Sequence, residues 1–104
     1  MAQFDVYKNP NPSTNKSIPY LLDVQVDFLE ELTTRVVIPL VTAETMGKPA
    51  RHLNPTFDIG GCLVVMSTAE LAGVSWRDLG EKVTSFGAHR QEIISALDFL
   101  FTGF

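Results

Sequence analysis

The chain has 104 residues, 45% hydrophobic and 19% charged, a composition that predicts one compact domain over residues 1–104. Its net charge of −4, without any run of Lys or Arg, disfavours direct binding to DNA or RNA, which needs a basic patch. Cys62 is the only cysteine, which excludes a disulfide within the chain. No signal peptide or membrane span is recognisable, so a soluble, cytoplasmic protein is expected.

The start of the chain has the pattern of a strand followed by a loop. Two sets of side chains alternate here, which favours a strand with two chemically different faces. One set is Phe4, Val6 and Lys8, and the other is Gln3, Asp5 and Tyr7. Residues 9–17 contain two prolines among Asn, Ser and Thr and have almost nothing to bury. We expect them to form a mobile hairpin loop.

Two further strands and a short helical turn are predicted next. Residues 20–24 have strand composition, and residues 35–40 form the strongest strand in the chain because they are rich in β-branched side chains. Pro39 cannot donate a ladder hydrogen bond, so it marks a sheet edge, a bulge or a strand end. Residues 42–46 are compatible with one helical turn that ends at Gly47.

The middle of the chain predicts a tight hairpin. Residues 56–59 and 62–67 are apolar runs separated by Gly60 and Gly61, which suit a turn that needs positive φ. Residues 74–76 suggest another short strand. Strands followed by one terminal helix predict a mainly β fold, an antiparallel, barrel-like sheet with a C-terminal α-helix packed on it.

The predicted C-terminal helix begins at about Phe86 and has one apolar stripe. Helical spacings of three, four and seven relate its members, which are Phe86, Ile93, Ile94, Leu97 and Phe101. We expect this stripe to be core. Phe99 lies off the stripe, on the side of Glu92 and Ala96, and is either an interface aromatic or a scattered surface residue. Gly103 is a natural helix stop.

The sequence contains no pattern that argues for catalysis, a metal or a cofactor. His52 and His89 have no other His or Cys at ligand spacing, and His89 is expected to be solvated. The Gly-x-Ser-x-Gly elbow is absent, so serines and histidines alone are weak support for a hydrolase. Cys62, between glycines and an apolar run, is expected to be a small buried hydrophobe.

Several stretches in order resemble the CcdB family of plasmid-type toxins, which poison DNA gyrase. Their order, spacing and total length match from end to end. The stretches are residues 3–7, 23–27, 35–40 and 93–103, with support from residues 53–55, Ile59 and residues 66–68.

The resemblance implies an SH3-like barrel with a C-terminal helix that acts as a homodimer. Family members insert into the dimerisation region of the gyrase A subunits and trap the enzyme on cleaved DNA, without catalysis of their own. A CcdA-like antitoxin neutralises them through a disordered segment that folds on binding. Toxin and antitoxin together repress their operon, with the antitoxin contacting the DNA, and so support plasmid maintenance.

The resemblance also implies a gyrase-facing surface built from the first strand, the segment after residues 23–25 and the end of the helix. The matching positions are Gln3, Phe4, Tyr7, Val26, Phe28, Asp98, Thr102, Gly103 and Phe104. Phe99 is the candidate for the dimer interface. Without the resemblance, Phe4 and Val26 are equally compatible with core positions, and Tyr7 with an ordinary strand aromatic.

The tail departs from the family pattern, because well-known members end in Trp-Gly-Ile and this chain ends in Thr102, Gly103 and Phe104. The change removes an indole, a common interface anchor, while Phe104 adds apolar area. One alternative function is therefore a non-toxic homologue that retains only dimer and antitoxin binding. Another is an endoribonuclease of the MazF type, which shares the barrel, although 8 basic against 12 acidic residues disfavour a polyanionic substrate.

Overall fold

The computed structural model describes residues 2–29 and 31–103, and the strands in this part of the chain belong to one curled antiparallel sheet. The strands are β1 (Asp5–Lys8), β2 (Tyr20–Asp23), β3 (Thr34–Thr42), β4 (Thr56–Ile59), β5 (Cys62–Met66), β6 (Ala72–Ser75) and β7 (Lys82–Ser85). The helices are α1 (Ala43–Met46) and α2 (Arg90–Thr102). Short 3-10 turns cover Asp27–Leu29, Thr68–Glu70, Trp76–Asp78 and Gly87–His89.

The sheet is organised around β3, its longest strand. The strand order is β4-β5-β3-β2-β1-β7, and β6 pairs with the first half of β3 beside β5, which pairs with the second half. The result is a half-barrel closed on one side by α2. The predicted mainly β class, with antiparallel strands and a C-terminal helix, is confirmed.

Pro39 lies in the interior of β3 rather than at an edge or strand end. The Pro39 carbonyl accepts from the Ser67 amide at 3.0 Å. The backbone nitrogen and carbonyl of one strand residue point to the same edge of the strand, so the Pro39 ring nitrogen faces the side of Ser67 as well. At that point β3 passes from pairing with β6, at Val37, to pairing with β5, at Leu40. A proline is tolerated there because no ladder hydrogen bond is needed between the two partners.

The main core lies between the concave face of the sheet and α2. Val6, Leu22 and Ile38 are in register across β1, β2 and β3 and are fully buried, as the alternation in these strands requires. From the helical side, Ile93 and Ala96 are also fully buried. The core thus joins residues from the beginning, middle and end of the chain.

Two local predictions are confirmed by backbone geometry. Gly60 and Gly61 have φ of 57° and 87° between β4 and β5, which pair from Thr56 with Val65 to Ile59 with Cys62. The helical turn α1 is capped by the Thr42 hydroxyl, which accepts from the Thr45 amide, and ends at Gly47. Residues 9–17 join β1 to β2 as predicted, and their mobility stays a prediction.

The predicted start of the terminal helix is wrong. Residues 82–85 form strand β7, which pairs with β1, and α2 begins only at Arg90. Strand β7 is mostly exposed and lacks a clear apolar alternation, so its sequence does not distinguish it from a loop. Phe86 is still buried, but it enters the core from the end of β7 rather than from a helix.

The predicted stripe is confirmed for Ile93, Ile94 and Leu97, which are buried or pack against the main core, and is wrong for Phe101. Phe101 was expected in the core and is 70% exposed, whereas Ala96 was expected on the outer side and is fully buried. The buried face is centred on Ile93 and Ala96, and at about 100° per residue Phe101 lies well to one side of it. Ala96 belongs to the main core despite its small side chain, a position that hydrophobicity alone does not indicate.

The first strand has the two chemically different faces that were predicted, and both of them are buried at Asp5, Val6 and Tyr7. Val6 faces the main core, while Asp5 and Tyr7 on the opposite face are only 4% and 5% exposed.

No helix in the described part of the chain is long and apolar enough to cross a membrane.

Candidate protein-docking surface

The segment between β2 and β3 exposes an unusual amount of apolar surface. We call residues 26–29 and 31–33 the apolar loop; Val26, Leu29 and Leu32 are each about half exposed, and Phe28 is 90% exposed. A phenylalanine left in water forgoes roughly 2 kcal/mol of burial. A cluster of such side chains is typical of a protein-binding surface.

The apolar loop lies in the sequence between the two members of a buried ion pair, which joins Asp23 on β2 to Arg35 on β3. Arg35 donates to Asp23 Oδ2 from Nη2 at 2.6 Å and from Nε at 2.9 Å. Burial raises the pKa of the Asp23 carboxyl above its ordinary value, and the hydrogen bond from Arg35 opposes this shift. The pair is neutral as a unit, which makes its burial between two strands tolerable.

Gln25 connects this ion pair to the apolar loop and is itself buried. Its side-chain nitrogen donates to the Leu29 carbonyl at 3.0 Å, and its side-chain oxygen accepts from the Val36 amide at 3.0 Å. The Gln25 amide donates to Asp23 Oδ1 at 3.0 Å. One of these bonds holds the end of the 3-10 turn at Leu29, and the other two hold Gln25 to β2 and β3.

Gln3 connects the apolar loop to the beginning of α2. Its amide donates to Asp27 Oδ1 at 2.6 Å, and its side-chain nitrogen donates to the Val24 carbonyl at 3.1 Å. Its side-chain oxygen accepts from Arg90 at 3.4 Å. The structure therefore joins Gln3 to the segment that carries the predicted residues Val26 and Phe28.

Phe4 and Tyr7, also predicted at this surface, are buried. Phe4 is 3% exposed with φ of 72°, and its amide and carbonyl bond to Asp23 and Phe86. The Tyr7 hydroxyl donates to Asp5 Oδ2 at 3.3 Å, and burial together with the Asp5 carboxylate raises the pKa of Tyr7 to about 12. Phe4 packs in the main core and Tyr7 on the opposite face of the sheet, so both rings present almost no area to a partner.

The end of α2 forms a second exposed apolar feature. Asp98, Phe101, Thr102 and Gly103 are all exposed. The Thr102 hydroxyl donates to the Asp98 carbonyl at 2.6 Å, and Gly103 has φ of 80° with its amide donating to the Phe99 carbonyl. Phe104 lies outside the described residues, so its predicted contact is not located.

The structure adds apolar residues that sequence reasoning did not assign to the surface. Phe101 was placed in the core stripe, while Leu29 and Leu32 were not singled out at all. A signal for the two leucines exists, because they stand beside acidic residues such as Asp27 and Glu31 in a segment without strand alternation. For Phe101, helical spacing gives no such signal, because at about 100° per residue it lies nearer to Ile93 around the helix than Ile94 does.

Phe99, the predicted dimer contact, is half-buried on another side of α2. Its ring centroid lies 6.0 Å from that of His52, across an open groove of about 630 Å³ between α2 and the loop before β4. His52 itself has φ of 69°. The assignment of Phe99 to a dimer interface stays a prediction.

The remaining candidate groups are occupied in packing. His89, expected to be solvated, is partly buried against Phe57 and Phe86, with ring centroids 5.0 and 5.4 Å away. Cys62 is partly buried and packs against the main core, as expected of a small hydrophobe. Within residues 2–29 and 31–103, no three His, Cys, Asp or Glu side chains gather in a cluster that suits a metal.

Comparison with known families agrees with this geometry. A family model described as CcdB protein matches residues 3–103, which is nearly the whole chain. The curled antiparallel half-barrel with its C-terminal helix is consistent with the fold of that family. Membership supports a general role as a gyrase-poisoning toxin of a toxin–antitoxin system. This protein belongs to the CcdB family.

Proposed function

We propose that this protein binds the A subunit of DNA gyrase and traps the complex of gyrase with cleaved DNA. The observation that carries the proposal is the exposure of Phe28 and Phe101, on the two segments that family resemblance assigns to the gyrase-facing surface. The protein acts on another enzyme and performs no catalysis of its own.

The chemistry of this surface favours a protein partner. Exposed aromatic side chains are common anchors of protein interfaces, where they fill pockets on the partner. The net charge of −4 opposes direct contact with DNA. Contact with gyrase protein is therefore the physically favoured route to the cleaved complex.

The tail is proposed to bind through Phe101 rather than through residue 102. The Thr102 hydroxyl is turned back onto the Asp98 carbonyl and offers a small side chain where well-known members carry an indole. Phe101, one position earlier, offers a large apolar ring to solvent. In this chain the aromatic anchor is therefore displaced by one residue along the helix.

The remaining partners are proposed from the family. The protein forms a homodimer, with Phe99 as an interface candidate, and is neutralised by a CcdA-like antitoxin. Operator DNA is contacted by the antitoxin within their complex, which accommodates the acidic charge of the toxin.

A gyrase cleavage assay tests the proposal. Purified protein is incubated with gyrase, ATP and supercoiled plasmid, alongside Phe28→Ala, Phe101→Ala and a variant that lacks residues 102–104. Leu63→Ala is the matched control, because Leu63 is a half-exposed aliphatic residue on β5, outside the proposed surface. We expect linear DNA with the full chain and the control, and a loss on the order of tenfold or more with either Phe variant.

Two other results would redirect the assignment. If folded, dimeric protein produces no linear DNA, a non-toxic homologue that binds only antitoxin becomes the better description. If it cleaves RNA instead, the endoribonuclease alternative replaces the gyrase poison.

A further inference from the structure

We propose that Gln25 is a positioning residue that holds the apolar loop in its binding conformation before a partner arrives. The inference rests on the proposed function for its consequence, because a preordered loop matters only if the loop binds. Gln25 itself is buried and has almost no surface to offer a partner. Its effect is exerted through the exposed residues, above all Phe28.

The side-chain amide of Gln25 matches two different backbone groups. The Leu29 carbonyl requires a donor and the Val36 amide requires an acceptor, and the carboxamide supplies both from one rigid group. A carboxylate of nearly the same shape places an acceptor against the Leu29 carbonyl. The site therefore distinguishes Gln from Glu.

The backbone of Gln25 is held as firmly as its side chain. Asp23 Oδ1 accepts from the Gln25 amide at 3.0 Å, and Arg35 Nη2 reaches the Gln25 carbonyl at 3.4 Å. The Asp23–Arg35 pair therefore holds the backbone of Gln25 in place through these two hydrogen bonds. Charged partners make such bonds stronger than neutral ones.

The apolar loop needs this support because it has little of its own. Among its described residues, the internal backbone bonds are those from the Leu29 amide to the Val26 carbonyl and from the Leu32 amide to the Leu29 carbonyl. The Phe28 side chain is almost completely solvated and contributes little packing to the loop. An unsupported loop loses conformational freedom when it binds, which lowers affinity, so order established in the free protein favours binding.

The test compares Gln25→Glu with Gln25→Met, which removes both side-chain bonds without adding charge. Gln91→Glu is the control, because it makes the same charge change at an exposed position on α2. Amide hydrogen exchange is measured in the free protein, and affinity is measured against the gyrase A subunit. Having two variants keeps the test valid if one of them fails to fold.

We expect faster exchange of the Leu29 and Leu32 amides, by about tenfold for one lost buried hydrogen bond, with unchanged exchange in β2. Affinity is expected to fall by a similar factor. In a Phe28→Ala background the same substitution of Gln25 should change affinity less than about twofold, because Gln25 acts through Phe28.

Three outcomes overturn the inference. These are unchanged exchange in the apolar loop, a uniform increase of exchange across the sheet, or fully additive losses with Phe28→Ala. If the unmodified protein does not bind gyrase at all, the proposed function fails, and the exchange measurement alone still decides whether Gln25 orders the loop.

Discussion

Arg35 and Asp23 form an ion pair across neighbouring strands, with Nη2 2.6 Å from Oδ2 and side chains only 1% and 0% exposed. The pair lies on the face of the sheet opposite the main core, beside Tyr7 and Asp5. This second buried face is polar around the ion pair and apolar farther along β3, where Val37 and Val41 are buried.

Removal of one member of this pair should be strongly destabilising. Arg35→Met or Asp23→Leu leaves an uncompensated buried charge, for which we expect a loss of about 3–5 kcal/mol in the free energy of unfolding. The double variant should lose less than the sum of the two, because it leaves no charge behind. Urea denaturation measures all three, and simple additivity would contradict the coupling.

The buried Tyr7 hydroxyl should make stability depend on pH in the alkaline range. Its pKa is raised from 10.0 to about 12, so between these values the folded protein binds more protons than the unfolded chain. The free energy of unfolding therefore falls as the pH rises through this window. Tyr7→Phe should remove this part of the slope, as seen by denaturation below, within and above the window. An unchanged slope would mean that other groups cause it.

Gly103→Asp is expected to abolish toxicity without disturbing the fold. Nothing lies within 4 Å of a Cβ built at Gly103, and Asp tolerates positive φ better than most residues. The added charge falls in the proposed contact. Killing in cells without antitoxin is compared with melting temperature and dimerisation in vitro. Normal killing by a folded variant would remove the tail from the proposed surface.

Neighbouring isoleucines of α2 should respond differently to the same charge. Ile93 is fully buried, so Ile93→Asp is expected to prevent folding, since an unpaired charge in a core costs several kcal/mol. Ile94 lies on the flank of the buried face and is partly exposed, so Ile94→Asp should be less destabilising. Solubility and cooperative melting compare the two. The reverse order would contradict the orientation of the helix.

Local patterns in the sequence were sufficient for much of the fold. The two glycines between β4 and β5 require positive φ, and β-branched residues favour β3 wherever the chain places it. Strand β7 was not predictable, because its residues become a strand only through pairing with β1. The same holds for Pro39, whose central position depends on the gap between two partner strands.

The candidate site was predictable only in outline. Family resemblance pointed to residues 26 and 28 and to the tail, and the structure places these positions at the surface up to Gly103. It did not indicate that Phe4 and Tyr7 are buried, or that Phe101 is exposed. Burial at those positions depends on what packs against them from distant parts of the chain.

The sequence by itself determined the family, the fold class, the hairpin around Gly60 and Gly61 and the acidic charge, because each depends on residue order, on local backbone preferences or on composition. Only the tertiary structure decided that Ala96 belongs to the buried face of α2 and Phe101 to the exposed one. It also decided that Asp23, Gln25 and Arg35 meet beneath the apolar loop. Arg35 is distant in sequence from Asp23 and Gln25, and the pairing of β2 with β3 brings it to them.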